Sequence, residues 1–241
     1  MKEIISIKDI NLNFPIYGRN SISIKKKILQ SAIGGILNTD QLKHDAISVN
    51  ALKNINLKFF EGDKIGIIGH NGSGKSTLLR CIAGIYKPTT GTVHVKGKIS
   101  CLMSVTEGLD MEANGLDNIF IRGRLIGLSK KEILDATAKI IEFSELDNFI
   151  TFPLRTYSAG MVARLSFSVA AAINPDILLI DEALGTGDKN FLEKIEKKTK
   201  ELVDKSKVTI FVSHDNNFLS SINAKIIELK NGEVIRNDLI N

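Results

Sequence analysis

No stretch of the 241 residues stays apolar for the ~18–20 positions that a membrane-spanning helix needs, and the opening segment MKEIISIKDINLNF interrupts its apolar residues with charges. The expectation is a chain without a leader or a membrane span that works in the cytosol. Cysteine is scarce: Cys81 and Cys101 lack the spacing of a metal site, and buried reduced thiols are expected. Proline-rich linkers, low-complexity tracts and internal repeats are missing as well. Neither sign of charge dominates, with 32 Lys and Arg against 27 Asp and Glu for a net +5. The lysines are spread along segments such as KNFLEKIEKKTKELVDKSK, so the balance permits an anionic partner without specifying one. With 43% hydrophobic and 24% charged residues, the composition is that of a globular protein. The length suits one large α/β domain, or a core with one inserted subdomain.

What is present is a rhythm of short apolar strands and helices. Residues 3–8, NINLKFF (54–60) and KIGIIG (64–69) read as strands, and TVHVKG and KISCLM (92–103) as two more. Between the first two strands lies an insert in which Ile24, Ile28, Leu29, Ala32, Ile33 and Ile36 recur at helical spacing beside Lys25, Lys26 and Lys27. This is a basic amphipathic helix, packed either on its own domain or against a membrane or membrane partner. Residues 115–150 lose β character and read as helices, which predicts an inserted helical subdomain. The β pattern returns in DILLID (176–181), KVTIFVS (207–213) and KIIELK (225–230), with helices between, which argues a parallel sheet built from crossovers.

Chemistry concentrates at the strand ends. GHNGSGKST (69–77) fits the pattern G-x-x-x-x-G-K-[ST], directly after the strand KIGIIG and directly before the helix KSTLLRCIAG. Gly72 and Gly74 allow backbone angles that let successive N–H groups line an anion-binding concavity. Lys75 adds a positive charge to the phosphates, and the Ser76 hydroxyl suits Mg²⁺. His70 reads as a tolerated loop residue rather than a catalyst. ILLIDE (177–182) is an apolar strand ending in two acids: Asp181 is placed to hold Mg²⁺ and Glu182 to polarise an attacking water. The structural alternative is a carboxylate pair capping the next helix. VTIFVS ends in Ser213, His214 and Asp215, which puts a histidine at the same sheet edge, able to donate to a γ-phosphate. YSAGMVARL (157–165) begins as a turn and becomes an apolar-patterned helix, and such a helix N-terminus attracts anions.

In this order, phosphate loop, YSAGM, acid pair and histidine resemble the nucleotide-binding subunits of ATP-binding cassette transporters across almost the whole chain. The resemblance implies an α/β fold: a P-loop NTPase (RecA-like) core with a parallel sheet, an N-terminal antiparallel β subdomain and an inserted helical subdomain. Residues 1–104 and 174–241 would form the core, with the amphipathic insert at about 18–50, and about 105–173 the helical subdomain. ATP and Mg²⁺ are the implied cofactors. Gly69, His70, Asn71, Gly72, Ser73, Gly74, Lys75, Ser76 and Thr77 would hold the nucleotide, Ser76 and Asp181 the metal, and Glu182, His214 and Lys75 would serve catalysis. Ser158 and the Gly160 backbone would close over the γ-phosphate on a second copy of the chain, so the anion met by YSAGM lies in the other protomer. Adenine usually stacks on an aromatic near the first strand, a place open to either Phe14 or Tyr17.

Finer likenesses narrow the branch. TTGTVHVKGKI, GLDNIFIRGRLIGLS, YSAGM with Tyr157, NPDILLIDEALGTGD and the SHD triplet look like the subunits that energise export of O-antigen, capsular polysaccharide or teichoic acid. The expected partners are a second copy, a polytopic permease and, through it, a lipid-linked polysaccharide, with no nucleic acid. The expected place is the cytoplasmic face of the inner (cell) membrane, as a peripheral subunit. Competing readings are another transporter branch and a soluble clamp acting on nucleic acid. Departures from the family pattern are specific. Its glutamine between core and helical subdomain has no counterpart, since Gln30 and Gln41 lie upstream and Ser104, Val105, Thr106 and Glu107 occupy the expected place. Ala159 replaces a glycine, and Gly185, Thr186, Gly187 and Asp188 replace the commoner SALD. Too few residues follow His214 for the C-terminal β-sandwich of many exporters of this branch, which leaves a shorter branch or a truncated chain.

Overall fold

The computed structural model describes residues 2–16, 47–102, 108–181, 189–213 and 216–239. Most of the amphipathic insert, Tyr17, Gln30, Gln41, residues 104–107, Glu182, the 185–188 segment, His214 and Asp215 lie outside the described residues. The elements run β1 (Glu3–Ile16), β2 (Ile47–Phe60), β3 (Lys64–Ile68), α1 (Lys75–Ile82), β4 (Thr90–Val95) and β5 (Ile99–Leu102). Helices α2 (Gly115–Leu125), α3 (Lys130–Ser144) and α4 (Ala159–Ala171) follow, with two 3₁₀ turns, Asp147–Thr151 and Leu154–Thr156, before α4. The chain continues through β6 (Ile177–Ile180), α5 (Lys189–Lys205), β7 (Val208–Val212), α6 (Asn216–Ser221), β8 (Lys225–Lys230) and β9 (Glu233–Asn237). These elements form two compact units, 1–97 with 207–241, and 98–206.

The first unit contains the antiparallel sheet β2-β1-β4, as expected for the N-terminal β subdomain. Both long strands exceed the sequence expectation, because β1 and β2 continue through segments rich in Asp and Asn that read locally as turns. Irregular pairings interrupt the ladder, with Asp9 at φ 49° and Asn54 at φ 45°. Side chains stand in for the missing bonds: the Asp9 N–H donates to Asn56 Oδ1 and the Asn54 N–H to Asn11 Oδ1, each at 2.9 Å. In the same unit, β3 is flanked by β7 and β8, both parallel to it. β3 and β7 bury their apolar residues on both faces, which is why they read as unbroken apolar runs. β9 closes the edge antiparallel to β8, a strand that sequence reasoning did not anticipate.

The second unit holds the parallel pair β5 and β6 with α2 to α5. Adjacent strands β4 and β5 thus part company, one to each unit. Between β5 and β6 the described residues form helices and 3₁₀ turns, with a single isolated bridge, Asn114 to Pro153. Ile119, Ile133, Ile140, Leu154, Leu165 and Val169 form one apolar core, drawn from α2, α3, the second 3₁₀ turn and α4. Side chains fix where the three helices begin: the oxygens of Asn114, Ser129 and Ser158 accept from the N–H of Asp117, Glu132 and Met161.

Candidate functional site

The strand β3 ends at Ile68, and the chain leaves the sheet through Gly69 to enter α1 at Gly74. Gly74 is the N-cap, at φ 107°, an angle costly to a residue with a Cβ. A Cβ there would also stand 2.8 Å from the Ala51 carbonyl oxygen, so both conformation and space demand glycine. The cap offers no side-chain hydrogen bond, and the first turn of α1 carries no acid. Its N–H groups and the positive end of the helix dipole are therefore available to an anion. Lys75 is buried, and its ammonium donates to the carbonyls of Gly69 at 2.7 Å and His70 at 3.1 Å. The lysine thus folds back across the loop. Ser73 is wholly buried, and its hydroxyl has no hydrogen-bond partner among the described residues.

The remaining loop residues divide by exposure. Ser76 and Thr77 are half-buried in the first turn of α1, while His70, Asn71 and Gly72 are exposed. His70 Nδ1 lies 2.8 Å from the Asn71 carbonyl, a local contact that suits a tolerated loop residue. Within the same unit, β7 runs parallel to β3 with Val212 opposite Ile67, and the Ser213 N–H donates to the Ile67 carbonyl at 3.4 Å. The carboxyl ends of β3 and β7 are therefore neighbours, and His214 is the next residue in the chain.

In the second unit, β6 is buried along its whole length and ends where half-buried Asp181 begins the loop beyond it. Ser158 is the N-cap of α4, in extended conformation, and its Oγ accepts from the Met161 N–H at 3.2 Å. Ser158 and Ala159 are exposed, and a Cβ at Gly160 would meet nothing nearer than Ser158 Oγ at 3.8 Å. The turn is open to an incoming group. Tyr157 supports it from below: its ring is buried, and its hydroxyl donates to the Phe149 carbonyl at 2.6 Å.

Phe14 lies on β1 and meets Tyr86 edge-on, ring centroids 5.4 Å apart. Tyr86 escaped sequence reasoning because it sits in a turn rather than near the first strand. Burial pushes the thiols of Cys81 and Cys101 up to about 11, so both stay protonated at neutral pH and are unsuited to nucleophilic work. The turn Asn231-Gly232 between β8 and β9 was also missed, although it touches the loop: the Gly232 N–H donates to the Ser73 carbonyl at 3.0 Å. The dipeptide Asn-Gly is itself a strong signal for a two-residue hairpin turn.

Comparison with known proteins fits this arrangement. A family model described as ABC transporter matches residues 52–185. The chain is similar to the O-antigen export system ATP-binding protein RfbE of Yersinia enterocolitica, 38% identical over 225 residues, 93% of each chain. It is 37% identical over 223 residues to the teichoic acids export ATP-binding protein TagH of Bacillus cereus, covering 92% of this chain but 40% of that relative's length. Among solved structures, a dimeric ATP-binding cassette in a post-hydrolysis state, bound to ADP and Pi, superposes with a TM-score of 0.69 at 25% identity, over 97% of both chains.

Proposed function

The chain belongs to the ABC transporter family as its ATP-binding, ATP-hydrolysing subunit, and on that premise we propose that it powers export of a lipid-linked polysaccharide of the O-antigen, capsule or teichoic acid kind. It acts as a peripheral subunit on the cytoplasmic face of the cell membrane, where two copies close around ATP and drive a separate multi-span permease. The observation that carries the export reading is end-to-end similarity to an O-antigen export ATP-binding protein.

The residues suit ATP and Mg²⁺. An uncapped glycine loop with a buried lysine and a buried hydroxyl unpartnered among the described residues matches a polyphosphate. Mg²⁺ prefers one or two protein oxygens together with phosphate to an all-protein cage. Among the described residues no group of three or more His, Cys, Asp or Glu forms such a cage. The Ser76 hydroxyl and the Asp181 carboxylate are assigned to the ion, which when bound neutralises phosphate charge. Residues 69–77 hold the phosphates, with Lys75 adding its charge. Glu182 orients the attacking water and takes its proton, and His214 donates to the γ-phosphate. Ser158 and the Gly160 N–H approach the γ-phosphate of the second copy, backed by the dipole of α4. Phe14 or Tyr17 stacks on adenine.

Affinity purification of the tagged chain from its native membranes in mild detergent, followed by mass spectrometry, tests the export reading. A multi-span protein of the polysaccharide-export type is the expected companion. Recovery of nucleic acid or of cytosolic proteins alone would remove the export reading and leave ATP binding intact.

A further inference from the structure

The turn joining β8 to β9 lies against the phosphate loop, and the mechanism above gives it no role. Asn231 and Gly232 have φ of 51° and 82°, and Lys230 pairs with Glu233 across them. This is a two-residue hairpin turn of the primed type, in which both central residues are left-handed. Gly232 is buried and tied on both sides. Its N–H donates to the Ser73 carbonyl at 3.0 Å, and its carbonyl accepts from the Lys53 N–H at 2.8 Å. The same strand end touches the loop again, since a Cβ on Gly69 would stand 2.2 Å from the Leu229 carbonyl oxygen.

We propose that Gly232 is a positioning residue for the phosphate loop, holding it in its anion-ready shape before nucleotide arrives; the inference rests on reading residues 69–77 as that loop. The Ser73–Gly74 peptide is planar and trans, so its carbonyl and its N–H point in opposite directions. Holding the Ser73 carbonyl on the hairpin therefore aims the Gly74 N–H away from it. Binding then does not have to order this peptide, and the affinity gains what ordering would cost. Glycine is required for two separate reasons. Its φ is left-handed, and a Cβ would stand 2.8 Å from the Ala51 carbonyl oxygen.

Titration of the nucleotide-free chain with a fluorescent ATP analogue tests this, using Gly232→Ala and, as a control, Asp238→Asn. Asp238 binds Arg236 and the Ile226 N–H at the far end of the same hairpin. Binding by the unaltered chain tests the loop reading itself. Gly232→Ala should bind about tenfold more weakly, with KM for ATP rising more than kcat falls. Asp238→Asn should lower the melting temperature and leave the dissociation constant in place. A folded Gly232→Ala chain with undiminished affinity overturns the proposal, and so does equal weakening by Asp238→Asn. If Gly232→Ala does not fold, hydrogen exchange of the unaltered chain decides: the Gly232 amide should be protected without nucleotide, and exchange at the unprotected rate overturns the proposal.

Discussion

Ser158 serves two purposes that one substitution can separate. As N-cap it accepts from the Met161 N–H, and losing such a cap costs about 1 kcal/mol. As the proposed donor to a γ-phosphate it makes a charge-assisted bond worth about 1.5–3 kcal/mol, or roughly tenfold or more in rate. Ser158→Ala should therefore reduce ATP turnover by roughly tenfold or more while the isolated chain binds ATP nearly as before. Ser158→Asn, which retains an oxygen for the cap, should recover the melting temperature without recovering turnover; full activity in Ser158→Ala would remove the serine from the site. At this scale the sequence was most legible where residue type and spacing are dictated by backbone chemistry. The glycines, lysine and serine of residues 69–77 can be recognised because few residues allow those angles and donors. The fold of Lys75 onto Gly69 and His70, and the edge-on pairing of Phe14 with Tyr86, depend on contacts that spacing does not encode.

Single elements are held by local devices whose strength can be read one at a time. The start of α3 is a full capping box: Ser129 Oγ accepts from the Glu132 N–H at 3.2 Å, and Glu132 Oε2 accepts from the Ser129 N–H at 2.8 Å. Lys98 adds a hydrogen bond to Glu132 at 2.9 Å, and it together with the cap holds the Glu132 carboxyl down at about 2. Since this folded value lies below the ordinary 4.5, the contribution is complete above about 4.5 and fades as pH falls toward 2. Ser129→Ala should lower stability by about 1 kcal/mol at neutral pH. In thermal melts the gap between Glu132→Gln and the unaltered chain should shrink between pH 5 and pH 2; a constant gap would contradict the assignment. Elements were legible where burial on both faces imposes an unbroken apolar run, as in β3, β6 and β7. They were not legible where polar side chains replace the ladder. Asp9, Asn11, Asn54 and Asn56 look like turn formers, yet their cross-strand hydrogen bonds carry β1 and β2 through. β9 was missed for the opposite reason, since EVIRN is short and only Val234 and Asn237 are even half-buried, so no apolar alternation marks it.

On the scale of the molecule, the proposed roles fall on both compact units. The phosphate loop and β7 belong to the unit made of residues 1–97 and 207–241, and Ser158 and Asp181 to residues 98–206. A relative of the same fold is dimeric with ADP and Pi, and an open serine turn at the N-terminus of α4 suits approach from a second copy. If closure of two copies is linked to nucleotide, then ATP stabilises the dimer by its preference for that state, and hydrolysis releases it. Blocking the chemical step should therefore accumulate the closed form. Glu182→Gln removes the proposed base while keeping the size of the side chain, and hydrolysis should slow by about 100-fold or more. Light scattering on a sizing column should then give twice the monomer mass with ATP and the monomer mass without it. Adding Ser158→Ala to Glu182→Gln should restore the monomer even with ATP, because the contact from the second copy is lost. Hydrolysis by Glu182→Gln at the unaltered rate would show that another residue activates the water. A dimer indifferent to Ser158→Ala would show that the two copies meet through a different face.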